Sequence, residues 1–404
     1  MITRRRGLLA AASGLLLIAA MAVVDPVAAA DADTSGTGEG SGTVVVRAAD
    51  TDDRTAAAAA RVAAMSTREK AASVVMGHIP TTDAAAVRSY LDSSGIGGFI
   101  LMGANVPGSE DQLRALTAAM TVDPALPPLI AIDQEGGDVS RLPWDDFPSA
   151  VTLKNQPAGA TTDAFAGRGA LVGRAGIGVN FGIVADVTDD RSMFIYRRAL
   201  GTTPAGGAER VPAAVAGEGG STLSTLKHFP GHGSAPGDSH LGIPSSGMSK
   251  AEWAASDALP FAAGIDAGAP LLMYGHLAYT AVDGAPASLS SEWHRIAREE
   301  LGFTGVAITD DLGMLQASGI PAYRDPVANA VAAIAAGNDM VLTIVFSDAS
   351  TAPRTVDGIV AAVESGALPA ARLDEAATRV TALRLELATE GRGLVPCADC
   401  AAAG

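Results

Sequence analysis

The sequence predicts an α/β chain folded as a single (β/α)8 barrel of the TIM type, with no second α/β sandwich domain. Short apolar segments recur along most of its length, each followed by a longer stretch of helical spacing or helix-forming composition, the pattern of parallel β/α units. Each segment is nearly all apolar, as strands buried on both faces of a parallel sheet must be, and lacks the alternation of a half-exposed sheet. Polar and charged residues gather where the segments end, which is where a barrel builds its site. Two doubly wound sheets are the competing arrangement, but eight units over roughly 330 residues fit a barrel with insertions better.

The eight expected strands are 73–77, 98–102, 129–133, 179–186, 222–228, 270–276, 305–310 and 339–346. Intervening helices are expected at 250–267, 291–301 and 326–336, with Gly302 and Gly337 as C-terminal caps. At the strand ends stand Asp133, Gln134 and Glu135, then Asp186, Lys227 with His228, His276, and Asp310 with Asp311. A carboxylate in such a place is often only a helix N-cap, so no one of them decides anything alone. Five occurrences in equivalent places point to a shared pocket.

Hydrophobic residues make up 48% of the 404, enough to bury a large core and to exclude global disorder. Lys and Arg number 28 against 44 Asp and Glu, a net charge of −16, which argues against nucleic acid or anionic lipid as the main partner. The two cysteines, Cys397 and Cys400, cannot supply a disulfide framework or a four-cysteine zinc site. Arg4, Arg5 and Arg6, an apolar run over 7–24 and Ala28-Ala29-Ala30 read as a signal peptide over 1–30, so the chain is expected to be exported without a stable membrane span after cleavage. Residues 31–55, rich in Gly, Ser, Thr and Asp, read as a flexible linker. The barrel is then expected over 56–390, with a tail at 391–404.

Three segments carry chemistry. In KHFPGHGSAPGDSH, three of the six histidines fall within thirteen residues, and Pro230, Gly231, Gly233, Pro236 and Gly237 prevent the helix that a zinc-protease motif requires. A loop zinc site from His228, His232, Asp238 and His240 is one reading. Proton transfer is the better one: histidine is the side chain whose charge ordinarily changes near neutrality, and Asp238, two residues before His240, can accept its Nδ1 proton. In VAITDDLGM, side-chain alternation along a strand lets only one of Asp310 and Asp311 face the barrel mouth, and alternation alone leaves open which. In AIDQEGGDVSRL, Asp133 ends a strand before a turn at Gly136-Gly137; it can accept hydrogen bonds from sugar hydroxyls, and Arg141 can donate to ligand oxygens.

In this order and spacing the three segments resemble the family 3 glycoside hydrolases, in particular the bacterial β-N-acetylglucosaminidase branch, over roughly residues 60–390. GGFILMGANV, VNFGIVADV, LLMYGHLAY with PASLS after it, and AAGNDMVL are similar as well. The resemblance implies retaining hydrolysis of terminal β-linked N-acetylglucosamine with no metal or cofactor, Asp310 as nucleophile, His240 as acid/base and Asp238 as its partner. It also implies that Asp133, Arg141, Lys227 and His228 bind the sugar, joined by an arginine of IYRRALG, Arg198 in preference to Arg197. Two departures stand out: Ala199-Leu200 where Ser and Phe are common, and Asp138 where many members carry arginine. A β-glucosidase, a phosphorylase using phosphate in place of water, and a sugar-binding protein without catalysis are the alternatives.

Overall fold

The computed structural model describes residues 48–391, so the expected signal peptide and the cysteine tail lie outside the described residues. Eight parallel strands close into a barrel in chain order: β1 (Val75–Gly77), β2 (Gly98–Leu101), β3 (Leu129–Ile132), β4 (Val179–Val184), β5 (Leu223–Phe229), β6 (Leu271–Tyr274), β7 (Val306–Asp311) and β8 (Met340–Leu342), with β8 pairing back onto β1. All eight expected strands are present, most of them trimmed at the ends. The first is shortened because Ser66 caps the helix Thr67–Ser73 with a capping box to Glu69, drawing Ser73 into the helix.

Alternate strand residues, among them Met76, Ile100, Ala131, Phe181, Leu223, Met273, Ile308 and Leu342, fill the barrel interior. Val380, Leu383 and Leu387 of the last helix, Ala370–Glu390, join that cluster and close the lower end. Arg384 fastens this helix by donating to the carbonyls of Leu126 and Pro127, just before β3.

Two expectations are corrected. The linker was expected to run to residue 55, but a helix already spans Ala48–Ala63. Alanine-rich sequence favours it, and it rests on the last helix, with Arg54 Nη1 2.8 Å from Glu386 Oε2. The expected helix 250–267 is two, Lys250–Ala254 and Ala258–Asp266. Pro260 has no N–H for the Ser256 carbonyl and its ring would collide there, so a continuous helix is blocked, whereas the first turn of a new one tolerates proline. The third expected helix, Pro326–Ala336, forms as read, capped by Gly337 at φ 131°.

Three strands leave ideal register near the mouth. Ile183 pairs with Leu226 after Asn180 with Ser224; Phe229 pairs with Tyr274 after Leu226 with Leu272; Leu342 pairs with Asp311 after Met340 with Ile308. Each shift puts an extra residue into the functional strand, in β4, in β5 at Lys227-His228 and in β7 at Thr309-Asp310, and such bulges re-aim side chains.

Candidate active site

The upper end of the barrel opens into a cavity of about 160 Å³ whose wall includes Asp133, Arg141, Arg198, Lys227, His228, His240 and Asp310. Seven of the eight candidate residues thus meet in one place, and the eighth, Asp238, is bonded to His240.

The cavity floor is a network of charges. Lys227, buried on β5, places Nζ 2.8 Å from Asp133 Oδ1 and 2.7 Å from Glu135 Oε1. Arg198 grips Glu135 with two hydrogen bonds, Nε to Oε2 at 2.9 Å and Nη2 to Oε1 at 2.7 Å. Arg141 Nη2 lies 3.6 Å from Asp133 Oδ2. Burial alone would push the Glu135 carboxyl up, but Arg198 and Lys227 outweigh it and hold it at about 2. Lys227, penalised by burial, is nonetheless raised by Asp133 and Glu135. The cations and carboxylates of the floor thus hold one another in place.

Arg198 lies in the cavity wall, whereas its neighbour Arg197 turns outward and pairs with Asp138, at 2.6 and 3.0 Å. The unusual Asp138 is thereby balanced on the surface. Gly136, at φ 82°, makes the turn possible: a Cβ there would come within 2.1 Å of Arg168 Nη2.

Beneath the floor, Asn180 on β4 accepts the Gln134 N–H at 3.0 Å and donates to the Gln134 carbonyl at 2.9 Å and to Glu218 Oε1 at 2.6 Å. Gln134 Oε1 in turn accepts the N–H groups of Arg141 and Leu142. Burial pushes the Glu218 carboxyl up to about 8, and its Oε2 has no partner.

His228 is set by Asp186, whose carboxylate meets Nδ1 at 2.8 Å and the His228 N–H at 3.2 Å and also accepts the His232 N–H at 2.6 Å. This leaves His228 Nε2 turned to Arg198 Nη2, 3.4 Å away. The loop after β5 is pinned at its start, where the Trp253 indole donates to Pro230 O and Tyr279 Oη to Gly231 O. It is pinned again where Ser245–Ser246 pairs with Ala278–Tyr279. Between these pins stand Asp238 and His240. Asp238 Oδ1 lies 2.7 Å from His240 Nδ1 and accepts the His240 N–H at 3.0 Å, leaving Nε2 as the nitrogen available to a ligand. Burial works against the Asp238 charge, but the His240 N–H and ring hold its carboxyl below the usual value. The Phe194 ring meets the edges of His232 and His240 at 4.6 and 6.3 Å.

The two neighbouring aspartates separate cleanly. Asp311 caps the helix Leu312–Ala317, accepting the N–H groups of Gly313 at 3.0 Å and of Ile344 and Val345 at 2.8 Å each. Burial still pushes its carboxyl up to about 6. Asp310 keeps only one such bond, from the Asp311 N–H at 2.8 Å, and remains partly open to the cavity. Burial would raise its carboxyl, but His228, His276, that N–H and Lys227 lower it, so it stands as a carboxylate. The four residues of the zinc reading are committed elsewhere or apart, and among the described residues no group of three or more His, Cys, Asp or Glu is arranged to hold a metal.

Sequence reasoning noted Glu135, Asp186 and His276 as polar strand ends but assigned them no task. His276 bridges Ser288 Oγ at 2.7 Å and the Asp311 carbonyl at 2.8 Å, steadying the turn beside Asp310.

A parallel barrel whose mouth gathers carboxylates, cations and histidines around one cavity has the build of a glycoside hydrolase. The model for the glycosyl hydrolase family 3 N-terminal domain matches residues 66–383, and the chain belongs to glycoside hydrolase family 3. It is 37% identical over 275 residues to a β-hexosaminidase of Chromobacterium violaceum, covering 64% of this chain and 74% of that protein. It is 33% identical over 314 residues to one of Stenotrophomonas maltophilia, covering 74% and 89%. Among solved structures, a family 3 β-N-acetylglucosaminidase from a Paenibacillus species superposes with a TM-score of 0.75 at 29% identity, over 80% of this chain and 63% of that one. A β-N-acetylhexosaminidase from Beutenbergia cavernae gives 0.69 at 29% identity, over 81% and 99%.

Proposed function

We propose that this protein is an exported, retaining exo-β-N-acetylglucosaminidase acting on cell-wall-derived or chitin oligosaccharides. The single observation that carries the mechanism is the meeting of Asp310 and the Asp238-bound His240 on one cavity. Asp133, Arg141, Arg198, Lys227 and His228 hold the terminal sugar, anion-lined and cation-lined positions alternating to suit hydroxyl and acetamido groups. An Asp310 carboxylate oxygen attacks the anomeric carbon as the glycosidic C–O bond breaks. The released electron pair stays on the leaving oxygen, which takes the proton from His240 Nε2. Asp238 holds the other ring nitrogen and stabilises the imidazolium before transfer. In the second step His240 Nε2 removes a proton from water, the water oxygen bonds to the anomeric carbon, and the Asp310 ester opens to a carboxylate. A histidine acid/base avoids placing a second carboxylate charge beside Asp310. Export follows from the reading of residues 1–30.

The test is release of nitrophenol from the β-N-acetylglucosaminide and the β-glucoside, without added metal, beside His240→Ala. Preference for the acetamido sugar, together with loss of turnover on poor leaving groups in the variant, is the expected result. Equal rates on both sugars, or full turnover of a poor leaving group by His240→Ala, would overturn the reading.

A further inference from the structure

The loop after β8 holds a side chain that neither the core nor the cavity wall uses. Phe346 is 70% exposed and is the sole exposed Phe, Tyr or Trp among the described residues. It is also the one non-glycine residue among them with a positive φ, 58°. A bulky residue in the left-handed region is disfavoured, and a ring held in water recovers nothing by burial. Such strain persists where neighbouring structure enforces it, and it concentrates at ligand-binding segments.

The enforcement is visible. Asp311, next in the chain to Asp310, accepts the N–H groups of Ile344 and Val345 at 2.8 Å each, and both residues line the cavity. The Ser347 N–H then donates back to Ile344 O at 3.2 Å, closing a turn around Phe346. The base of the ring is therefore fixed relative to Asp310. The large exposed hydrophobic residues among those described are Leu241, Leu259, Ile320, Val345 and Phe346, and three of them sit on the two loops that carry His240 and Val345. Apolar surface is thus concentrated at the mouth.

We propose that Phe346 is the platform for the leaving-group side of the substrate, a pyranose ring that stacks its apolar C–H face on the exposed phenyl ring while the terminal N-acetylglucosamine occupies the cavity. The inference rests on the glycosidase reading given above. Ile344 and Val345 of this loop line the cavity and Phe346 follows them beyond the wall, so a second ring joined to the terminal sugar would meet Phe346 at the rim. An aromatic face with its negative quadrupole suits the polarised axial C–H groups of a pyranose, and needs no charge on the ligand.

The experiment compares two substrates in the full chain and in Phe346→Ala, Phe346→Gly and Phe346→Trp. N,N′-diacetylchitobiose has a ring to stack, and N-acetyl-β-glucosaminyl fluoride has none. For Phe346→Ala and Phe346→Gly, kcat/KM on the disaccharide should fall about 3- to 10-fold, chiefly through KM, and on the fluoride stay within about twofold. Phe346→Trp should retain the disaccharide rate, and Phe346→Gly should melt at a higher temperature than the parent, because glycine adopts φ 58° freely. Equal losses on both substrates, or an unchanged disaccharide rate in Phe346→Ala, would overturn the inference and leave the glycosidase reading standing. A parent protein inactive on both substrates would overturn that reading first and this inference with it.

Discussion

On the cavity floor, Lys227 and Glu135 retain only 2% and 3% of their side-chain exposure, and Lys227, Arg198 and Glu135 meet opposite charges at 2.7–2.9 Å; on the neighbouring loop, His240 is 58% exposed and meets a single charged partner, Asp238. Desolvated charges tolerate little displacement, because any lost partner leaves an uncompensated ion in a medium of low dielectric. An exposed ion pair contributes about 1 kcal/mol or less and can be remade many times. The difference teaches a division of labour. The floor charges are locked in place by one another, and on the proposed mechanism His240, the group that would give up and regain a proton in each cycle, is left where water and movement can reach it.

Removing the proposed nucleophile is the most severe test. Asp310→Asn should lower kcat by at least about 10³-fold, measured by single-turnover release of a nitrophenol. Breaking the floor comes next. Glu135→Ala takes the ion-pair partner from Arg198 and leaves Lys227 with Asp133 alone, and urea unfolding should register a loss of about 3–5 kcal/mol. The pH dependence has a definite sign: a carboxyl held at about 2 supplies stability above the ordinary value of 4.5 that disappears as pH falls toward 2, so Glu135→Gln should flatten that acid limb. Breaking the loop should leave the fold intact: His240→Ala should unfold within about 0.5 kcal/mol of the parent while losing about 10²–10⁴-fold in turnover of an unactivated substrate.

Smaller effects sharpen the contrast. Glu218 is pushed up to about 8 from 4.5, so the folded state binds its proton more tightly than the unfolded one. Its contribution is fully present below about pH 4.5 and lost as pH rises to about 8. Glu218→Gln should remove that slope and raise stability at pH 8.5 by about 1 kcal/mol or more, seen in urea midpoints at pH 6 and 8.5. Arg197→Ala, which opens only the exposed pair with Asp138, should shift stability by less than about 1 kcal/mol.

The strands were legible because a buried parallel strand must be apolar on both faces, and the cavity was legible because polar residues at strand ends have few other reasons to recur. What stayed hidden depends on register. Strict alternation lets one of two adjacent residues face inward, yet Lys227 and His228 both line the cavity because β5 carries an extra residue there. Nothing in a run such as LSTLKHF announces a bulge. At β7 the resemblance favoured Asp310, and the hydrogen bonds supply a physical reason: Asp311 is consumed by three N–H groups, one close in sequence and two brought from β8's loop. Glu135 and Asp186 were visible as charges but not as holders of Arg198 and His228, since those partners lie 63 and 42 residues away. The helix Ala48–Ala63 escaped notice because the surface that stabilises it belongs to the far end of the barrel chain.

The last helix has a consequence for traffic. With Val380, Leu383 and Leu387 stoppered against the filled interior, the barrel is a blind well and not a tunnel. Nothing can be threaded through it, so any ligand has to enter from the mouth. Whatever is released leaves by the door through which it entered, so the product of one cycle stands in the way of the next.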